Sequence, residues 1–197
     1  MQLIAVTKGF GADAIVAAVN GGCAAIGENY AQELLAKLAE LPPGMTPEVH
    51  FIGHVQTNKV RSMASAVDVW QTIDRPSAVA EVAKRAGAAR VFVQVNTTNE
   101  SGKGGCMPTE TTAIVAACRE AGLQVEGLMT IGPTSMDVAD THQSFALLRR
   151  LADDHGLSGC SMGMTADLDI ALEHGATHVR IGSALFGDRP QRGTSIK

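Results

Sequence analysis

The segment Leu3-Ile4-Ala5-Val6-Thr7 is followed by Lys8-Gly9 and an alanine-rich stretch over Gly11–Asn20, a pattern that the rest of the chain repeats. The short segment is almost entirely apolar, as parallel strands are when helices cover both faces of a sheet. The longer stretch is rich in alanine and is bounded by glycines, which is typical of a helix between loops. One strand followed by one helix is therefore the unit from which the chain is built.

The same unit recurs along the whole sequence. Candidate strands, each a short apolar or β-branched run, are Leu3–Thr7, Ala24–Gly27, Val49–Gly53, Val67–Thr72, Arg90–Asn96, Gln124–Met129, Gly159–Met162 and His178–Gly182. Candidate helices are Gly11–Asn20, Tyr30–Glu40, Asn58–Ser65, Pro76–Ala86, Pro108–Ala121, Asp137–His155, Asp167–His174 and the short Ala184–Phe186. Eight strands, each followed by a helix, predict an α/β protein with a (β/α)8 TIM-type barrel.

The alternative architecture is a doubly wound open sheet. Such sheets usually have fewer strands and carry a glycine-rich fingerprint in their first turn. The first turn here, Thr7-Lys8-Gly9-Phe10-Gly11, does not have the GxGxxG spacing. The pattern therefore favours the barrel, which we expect to occupy residues 1–197 as a single domain.

Composition narrows the function classes. The chain has 197 residues, 45% of them hydrophobic, and a formal net charge of -4, so a basic surface for nucleic acid is not expected. No apolar run approaches the ~20 residues that a membrane span needs, and no basic region follows Met1, as a signal peptide would require. The four cysteines are scattered without a CxxC pair, which is typical of a reducing compartment. We expect a cytoplasmic monomer without a membrane partner.

In a barrel of this kind, functional residues lie where the strands end and in the loops that follow. Two such segments are rich in glycine and hydroxyl groups: Ser161-Met162-Gly163-Met164-Thr165 after the seventh strand and Gly182-Ser183 before the last short helix. Loops at these places commonly hold a phosphate group through backbone N–H groups, hydroxyls and a helix N-terminus. The alternative is that these glycines only terminate strands.

Lys8 ends an apolar strand, so its amine can reach the mouth of the barrel. A lysine at that place forms an imine with a carbonyl compound if its pKa falls below the usual value of about 10.4. Taken alone, the position fits a surface lysine that closes a strand better than it fits an imine-forming one.

Arg180 alternates with Val179 and Ile181, so it points into the barrel if those two residues face the helices. A buried guanidinium needs an acceptor. A bound ligand or a carboxylate such as Glu28 or Asp74 would serve, and a purely structural ion pair is the alternative.

His50 and His54 have the i, i+4 spacing of a metal site. That spacing joins two ligands on a helix, but on a strand the residues are about 13 Å apart at ~3.3 Å per residue. We therefore expect no metal site there.

Several of these segments, taken in order, resemble the pyridoxal-phosphate homeostasis proteins, relatives of the alanine racemase N-terminal barrel. The matching pieces span nearly the whole chain: 3–8, 27–33, 50–59, 72–75, 127–133, 161–164 and 179–187. Any single piece is weak, whereas the ordered set is specific.

The resemblance implies that Lys8 holds pyridoxal 5′-phosphate (PLP) as a Schiff base. It implies a phosphate site at Ser161, Gly163, Gly182 and Ser183, and it places Arg180 beside the pyridine nitrogen. Asn29 and His54 would lie around the cofactor. An arginine beside the ring nitrogen opposes its protonation and weakens the ring as an electron sink.

The resemblance further implies a protein that buffers or delivers PLP, in transient contact with PLP-dependent enzymes and without turnover of its own. Two departures from related proteins are relevant. The sequence begins almost at the lysine-bearing strand, without the helix that normally precedes it, so that the start is misassigned, the chain is trimmed or this member lacks the helix. We also expect no appended β domain like the one that supplies a catalytic tyrosine in the racemases, and Tyr30 is the only tyrosine here. A weak PLP-dependent amino-acid racemase is the alternative, although racemisation on two faces needs two acid/base groups. A lysine-imine aldolase or phosphosugar enzyme is a third.

Overall fold

The computed structural model describes residues 1–188 and contains a closed barrel of eight parallel strands in sequence order. The strands are β1 Gln2–Val6, β2 Ala25–Glu28, β3 Glu48–Phe51, β4 Val69–Ile73, β5 Arg90–Gln94, β6 Gln124–Met129, β7 Gly159–Ser161 and β8 His178–Ile181. The helices are α1 Ala12–Asn20, α2 Ala31–Ala39, α3 Thr57–Met63, α4 Pro76–Ala86, α5 Thr111–Glu120, α6 Val138–Asp154, α7 Leu168–Glu173 and α8 Ser183–Phe186. Residues 189–197, the end of the predicted domain, lie outside the described part.

The predicted barrel is confirmed, and the open sheet is excluded, because the first and last strands pair. β1 and β8 are joined in parallel from Gln2 opposite His178 to Ala5 opposite Ile181. Strand β6 and helix α4 have the predicted bounds, and the other elements differ by one to three residues at their ends. The stretch predicted as one helix over Pro108–Ala121 begins with a 3₁₀ turn at Pro108–Glu110 before α5.

Apolar side chains form two separate layers on either side of the strands. The outer layer packs the strands against the helices and includes the buried side chains of Phe51, Trp70 and Phe145. The inner layer is small, and its apolar cluster consists of Val69, Phe92 and Met129. The barrel therefore derives most of its hydrophobic stabilisation from the helix-facing side, and its interior has room for polar groups.

Polar side chains do occupy much of the interior. Gln71 on β4 accepts a hydrogen bond from Ser161 on β7 over 2.7 Å, although these strands are not neighbours in the barrel. Below them the rings of His50 and Phe92 lie 6.1 and 4.9 Å from the ring of His178. These contacts require the side chains to point inward from alternate strand positions.

The interior histidine His178 makes the stability of the fold dependent on pH. Burial lowers the pKa of His178 from 6.5 to about 4, so the folded protein keeps it neutral while the unfolded chain protonates it below about pH 6.5. The unfolded state then binds more protons between pH 6.5 and 4, so this contribution to stability is complete above pH 6.5 and is lost as the pH falls. We expect the free energy of unfolding to fall by about 2 kcal/mol between pH 7 and pH 5.

Urea unfolding at the two pH values measures this loss. The variant His178→Gln should show a smaller loss, because its side chain does not titrate. An equal loss in His178→Gln and in the unaltered protein would contradict the assignment to His178.

No helix within residues 1–188 combines the length and the apolar character needed to cross a membrane.

Candidate functional site

A cavity of about 450 Å³ opens where the strands end and the loops begin. Its lining consists of Val6, Lys8, Phe10, Asn29, Ile52, Met129, Ile131, Met164, Thr165, Ala166, Arg180, Gly182, Ser183, Gly187 and Asp188. The volume lies within the range of about 300–1,000 Å³ that is usual for small-molecule sites. Five of the eight predicted site residues come from three separate parts of the chain and are brought together here: Lys8, Asn29, Arg180, Gly182 and Ser183.

Lys8 is half-buried at the end of β1, and the backbone on both sides of it is held by helix α2. The carbonyl oxygen of Thr7 accepts a hydrogen bond of 2.8 Å from Lys37 Nζ. The N–H of Gly9, which has a left-handed φ of 81°, donates to a carboxylate oxygen of Glu33. Glu33 and Lys37 are one turn apart on α2 and pair with each other at 2.7 Å. The helix therefore fixes the main chain that carries the Lys8 amine.

A buried carboxylate completes this arrangement behind the cavity. Glu28 lies at the end of β2, accepts a 2.6 Å hydrogen bond from the Thr7 hydroxyl and pairs with Lys37 Nζ at 2.7 Å. Burial raises the pKa of Glu28, while the hydrogen bonds from Lys37 and Thr7 oppose that rise. Glu28 is thus a partner of Lys37, whereas the hydrogen bonds of Arg180 go to Ser161 and Thr130.

Arg180 points into the barrel, as the alternation of β8 predicts. Its Nη1 donates to Ser161 Oγ at 2.6 Å and its Nη2 donates to the carbonyl oxygen of Thr130 at 2.7 Å. The expected carboxylate partners are therefore wrong, since Glu28 pairs with Lys37 and Asp74 pairs with Arg75. Burial lowers the pKa of Arg180 to about 10, so the guanidinium stays charged at neutral pH.

The two loops predicted to hold a phosphate meet at the edge of the cavity. The Ser183 hydroxyl donates to the Thr165 hydroxyl over 3.2 Å, and both residues line the cavity together with Gly182. Gly163 lies behind the lining with φ of 95°, and a Cβ on it would come within 2.6 Å of the Ala171 Cβ. Its role in the described structure is therefore to turn the chain so that the residues up to Thr165 reach the cavity.

Ser161 does not line the cavity. It is fully buried below it, where its hydroxyl accepts from Arg180 and donates to Gln71. The structure thus places one of the four predicted phosphate residues under the guanidinium and away from the loop hydroxyls.

Asn29 and His54 follow neighbouring strands but differ in their surroundings. Asn29 lines the cavity, and its side-chain oxygen is shielded from solvent without a hydrogen-bond partner among the described residues. Gly53 allows this placement, because a Cβ there would lie 2.0 Å from the Asn29 carbonyl oxygen. His54 is exposed and is not part of the lining. The shielded amide of Asn29 is a group that a bound molecule can satisfy.

Sequence reasoning missed two polar residues of the cavity. Thr165 stands in the loop that the glycine pattern singled out, so its hydroxyl was detectable as a candidate there. Asp188 lies just after the short helix α8, outside any motif, and the sequence carries no signal for it. Among residues 1–188, the ionisable side chains lining this cavity are Lys8, Arg180 and Asp188.

The arrangement combines three chemical capacities. An amine at Lys8 can attack a carbonyl carbon, paired hydroxyls at Thr165 and Ser183 can donate to an anion, and the apolar side chains of Ile52 and Met129 offer walls for a flat ring. The positive charge of Arg180 adds to the attraction for an anion, and because the guanidinium stays charged at neutral pH it does not transfer a proton to a ring nitrogen. A phosphorylated aldehyde with an aromatic ring fits all of these groups.

Comparison with known proteins finds a matching family model and similar proteins. Residues 1–190 match the family model described as alanine racemase, N-terminal domain. A protein of Pseudomonas aeruginosa named pyridoxal phosphate homeostasis protein is 39% identical over 194 residues, which cover 95% of this chain and 84% of that protein.

Two solved structures are similar in fold. PipY of Synechococcus elongatus with PLP bound is 31% identical, with a TM-score of 0.86 over 95% of this chain and 92% of that one. An alanine racemase from Corynebacterium glutamicum has a TM-score of 0.76 at 19% identity, and the match covers 98% of this chain and 57% of the racemase. The racemase likeness concerns the barrel alone.

Proposed function

The chain belongs to the pyridoxal phosphate homeostasis protein family, built on the alanine racemase N-terminal domain, and from that membership we propose that it binds PLP and serves the intracellular homeostasis of this cofactor. The observation that carries the proposal is the shared cavity of Lys8 and the Thr165–Ser183 hydroxyl pair. The PLP bound to the similar PipY structure supports the same ligand.

The covalent part of the proposal rests on Lys8. Lys8 would hold PLP through its Nζ as a Schiff base to the aldehyde carbon, with one water molecule released when the bond forms. The bound cofactor supplies a carbonyl group in masked form and a conjugated ring that can take up electrons. Helix α2 supports this role of Lys8 by fixing Thr7 and Gly9 on either side of it.

The other predicted residues take the following places in the proposal. Ser183 and Thr165 donate hydroxyl hydrogen bonds to the phosphate, and Gly182, which lines the same cavity, offers its backbone N–H. Gly163 shapes the loop, and Ser161 acts on the cofactor through Arg180. Asn29 offers its shielded amide to the cofactor, whereas His54 stays a prediction that rests on the resemblance alone.

Arg180 supports storage in preference to turnover. A charged guanidinium beside the pyridine nitrogen opposes protonation of the ring, and an unprotonated ring is a weak electron sink. We therefore propose that the protein buffers PLP and delivers it through transient contact with PLP-dependent enzymes, as a cytoplasmic monomer.

Uptake of the cofactor tests the proposal. Purified protein is incubated with PLP and passed through a desalting column, and its visible spectrum is recorded. We expect an imine absorbance band that co-elutes with the protein in a one-to-one ratio. Protein that emerges colourless and without PLP would overturn the proposal.

The phosphate site gives a second prediction. The change Ser183→Ala removes one hydroxyl donor, and we expect it to weaken PLP binding about tenfold, the effect of one hydrogen bond to a charged group. Titrations with PLP and with pyridoxal, which lacks the phosphate, measure the two affinities. Pyridoxal should bind the variant and the unaltered protein equally, and an equal loss for both compounds would contradict a phosphate role for Ser183.

A weak amino-acid racemase is the second candidate function, and the observation in its favour is Asp188. Its carboxylate lines the cavity together with Lys8, so two ionisable groups are available where racemisation needs two. Incubation of the loaded protein with L-alanine or D-alanine decides between the two functions. Steady interconversion that Asp188→Asn abolishes would establish the racemase, and its absence is the result expected for a carrier.

A further inference from the structure

Below the cavity, four polar side chains form a continuous chain of hydrogen bonds through the barrel interior. Arg180 Nη1 donates to Ser161 Oγ at 2.6 Å, and Ser161 Oγ donates to Gln71 Oε1 at 2.7 Å. Gln71 Nε2 lies 2.7 Å from His50 Nδ1. The chain joins strands β8, β7, β4 and β3, and it ends where His50 Nε2 lies 3.4 Å from Glu48.

Each bond in this chain has a determined direction, because a guanidinium can only donate. Ser161 therefore accepts from Arg180 and directs its own proton to the oxygen of the Gln71 amide. The amide nitrogen then faces His50, so the Nδ1 atom of His50 accepts and its proton is on Nε2. A substitution of His50 or Gln71 therefore changes how the Ser161 hydroxyl is oriented toward the Arg180 guanidinium.

Burial prevents water from replacing any member. The side chains of His50, Gln71 and Ser161 are fully buried. A buried polar group that loses its partner carries the full cost of desolvation, so the interior side chains are held in one pairing. Within residues 1–188, the other hydrogen-bond anchor of Arg180 is the carbonyl oxygen of Thr130, which by itself permits the guanidinium plane to turn.

We propose that Gln71 and His50 are positioning residues that, through Ser161, hold the Arg180 guanidinium in a fixed orientation toward the pyridine nitrogen of bound PLP. The inference rests on the proposed function, because it assigns to Arg180 a bound PLP as its neighbour. Neither Gln71 nor His50 lines the cavity, so both act on the cofactor only through the chain of hydrogen bonds that leads to Arg180.

The change Gln71→Met tests the proposal, because it keeps the length of the side chain and removes both hydrogen bonds. We expect a shifted absorbance maximum of bound PLP and about tenfold faster release of the cofactor, since Ser161 loses the acceptor that fixes its hydroxyl and therefore holds the guanidinium less firmly. The matched control is Gln94→Met on the adjacent strand β5, whose amide donates to the Gly104 carbonyl oxygen at 3.0 Å and takes no part in the chain. Its spectrum and release rate should remain within twofold of the unaltered protein, the scatter expected without a lost anchor.

A double-mutant cycle distinguishes positioning from a merely structural role. In an Arg180→Lys background, Gln71→Met should cause no further spectral shift, because the guanidinium on which it acts is gone. A further shift of the same size in that background would show that Gln71 acts independently of Arg180 and would overturn the proposal.

The remaining outcomes are also decisive. If Gln71→Met does not fold by circular dichroism, His50→Phe replaces it, since a phenyl ring suits the cluster with His178 and Phe92 and leaves the Gln71 amide without its acceptor. An unaltered spectrum in the folded variant, with PLP bound to the unaltered protein, overturns this inference and leaves the proposed function standing. Failure of the unaltered protein to take up PLP overturns both.

Discussion

Protein carrying Lys8→Ala remains colourless after incubation with PLP and desalting, whereas the unaltered protein retains a visible imine band. The variant has no amine at the end of β1, so the cofactor is held by hydrogen bonds and ring contacts alone. We expect its apparent dissociation constant for PLP to rise by about a hundredfold or more, because the covalent bond no longer opposes release. Equilibrium dialysis with absorbance detection measures both quantities.

A lysine elsewhere on the barrel provides the control. Lys84 is exposed on helix α4 and does not line the cavity, so Lys84→Ala should retain the band and the affinity of the unaltered protein. A band of full intensity in Lys8→Ala would show that another amine carries the cofactor and would contradict the assignment.

The change Lys37→Met should destabilise the protein by about 3–5 kcal/mol, the cost of removing one partner from a buried ion pair. Lys37 is nearly fully buried, and its ammonium contacts Glu28, Glu33 and the Thr7 carbonyl oxygen within 2.8 Å. Without it, the buried carboxylate of Glu28 has no cation beside it. Urea unfolding near pH 7 measures the loss.

Two variants separate the buried pair from general effects of the substitution. The double change Lys37→Met/Glu28→Gln should recover part of the stability, because it also removes the buried negative charge. Arg85→Met breaks the exposed i, i+4 pair with Glu81 and should cost far less stability than Lys37→Met, because solvent screens exposed pairs. A loss of similar size in Lys37→Met and Arg85→Met would contradict the role given to Lys37.

Local sequence patterns were sufficient for the barrel and for the direction of its strand residues. The unbroken apolar segment before Lys8 and the alternation around Arg180 placed the first at a strand end and the second in the interior, and the structure has both there. Such patterns report which face of a strand a residue occupies, and they depend only on neighbours two residues away.

Partners across the interior could not be predicted from those patterns. Gln71 and Ser161 are 90 residues apart, and Arg180 and Thr130 are 50 apart, so their pairing exists only once the barrel closes. The same holds for Lys37, whose position in helix α2 gives no sign that its ammonium is buried under Thr7. Long-range packing determined these contacts, and it also replaced the carboxylates that had been expected beside Arg180.

Borohydride reduction of the PLP-loaded protein, followed by peptide mass analysis, tests the central proposal most directly. Reduction converts a Schiff base into a stable amine and so marks the residue that carried it. We predict the added mass of the reduced cofactor on the peptide that contains Lys8 and on no other lysine peptide. Added mass on a different lysine, or none on any peptide of protein that retains PLP, would contradict it.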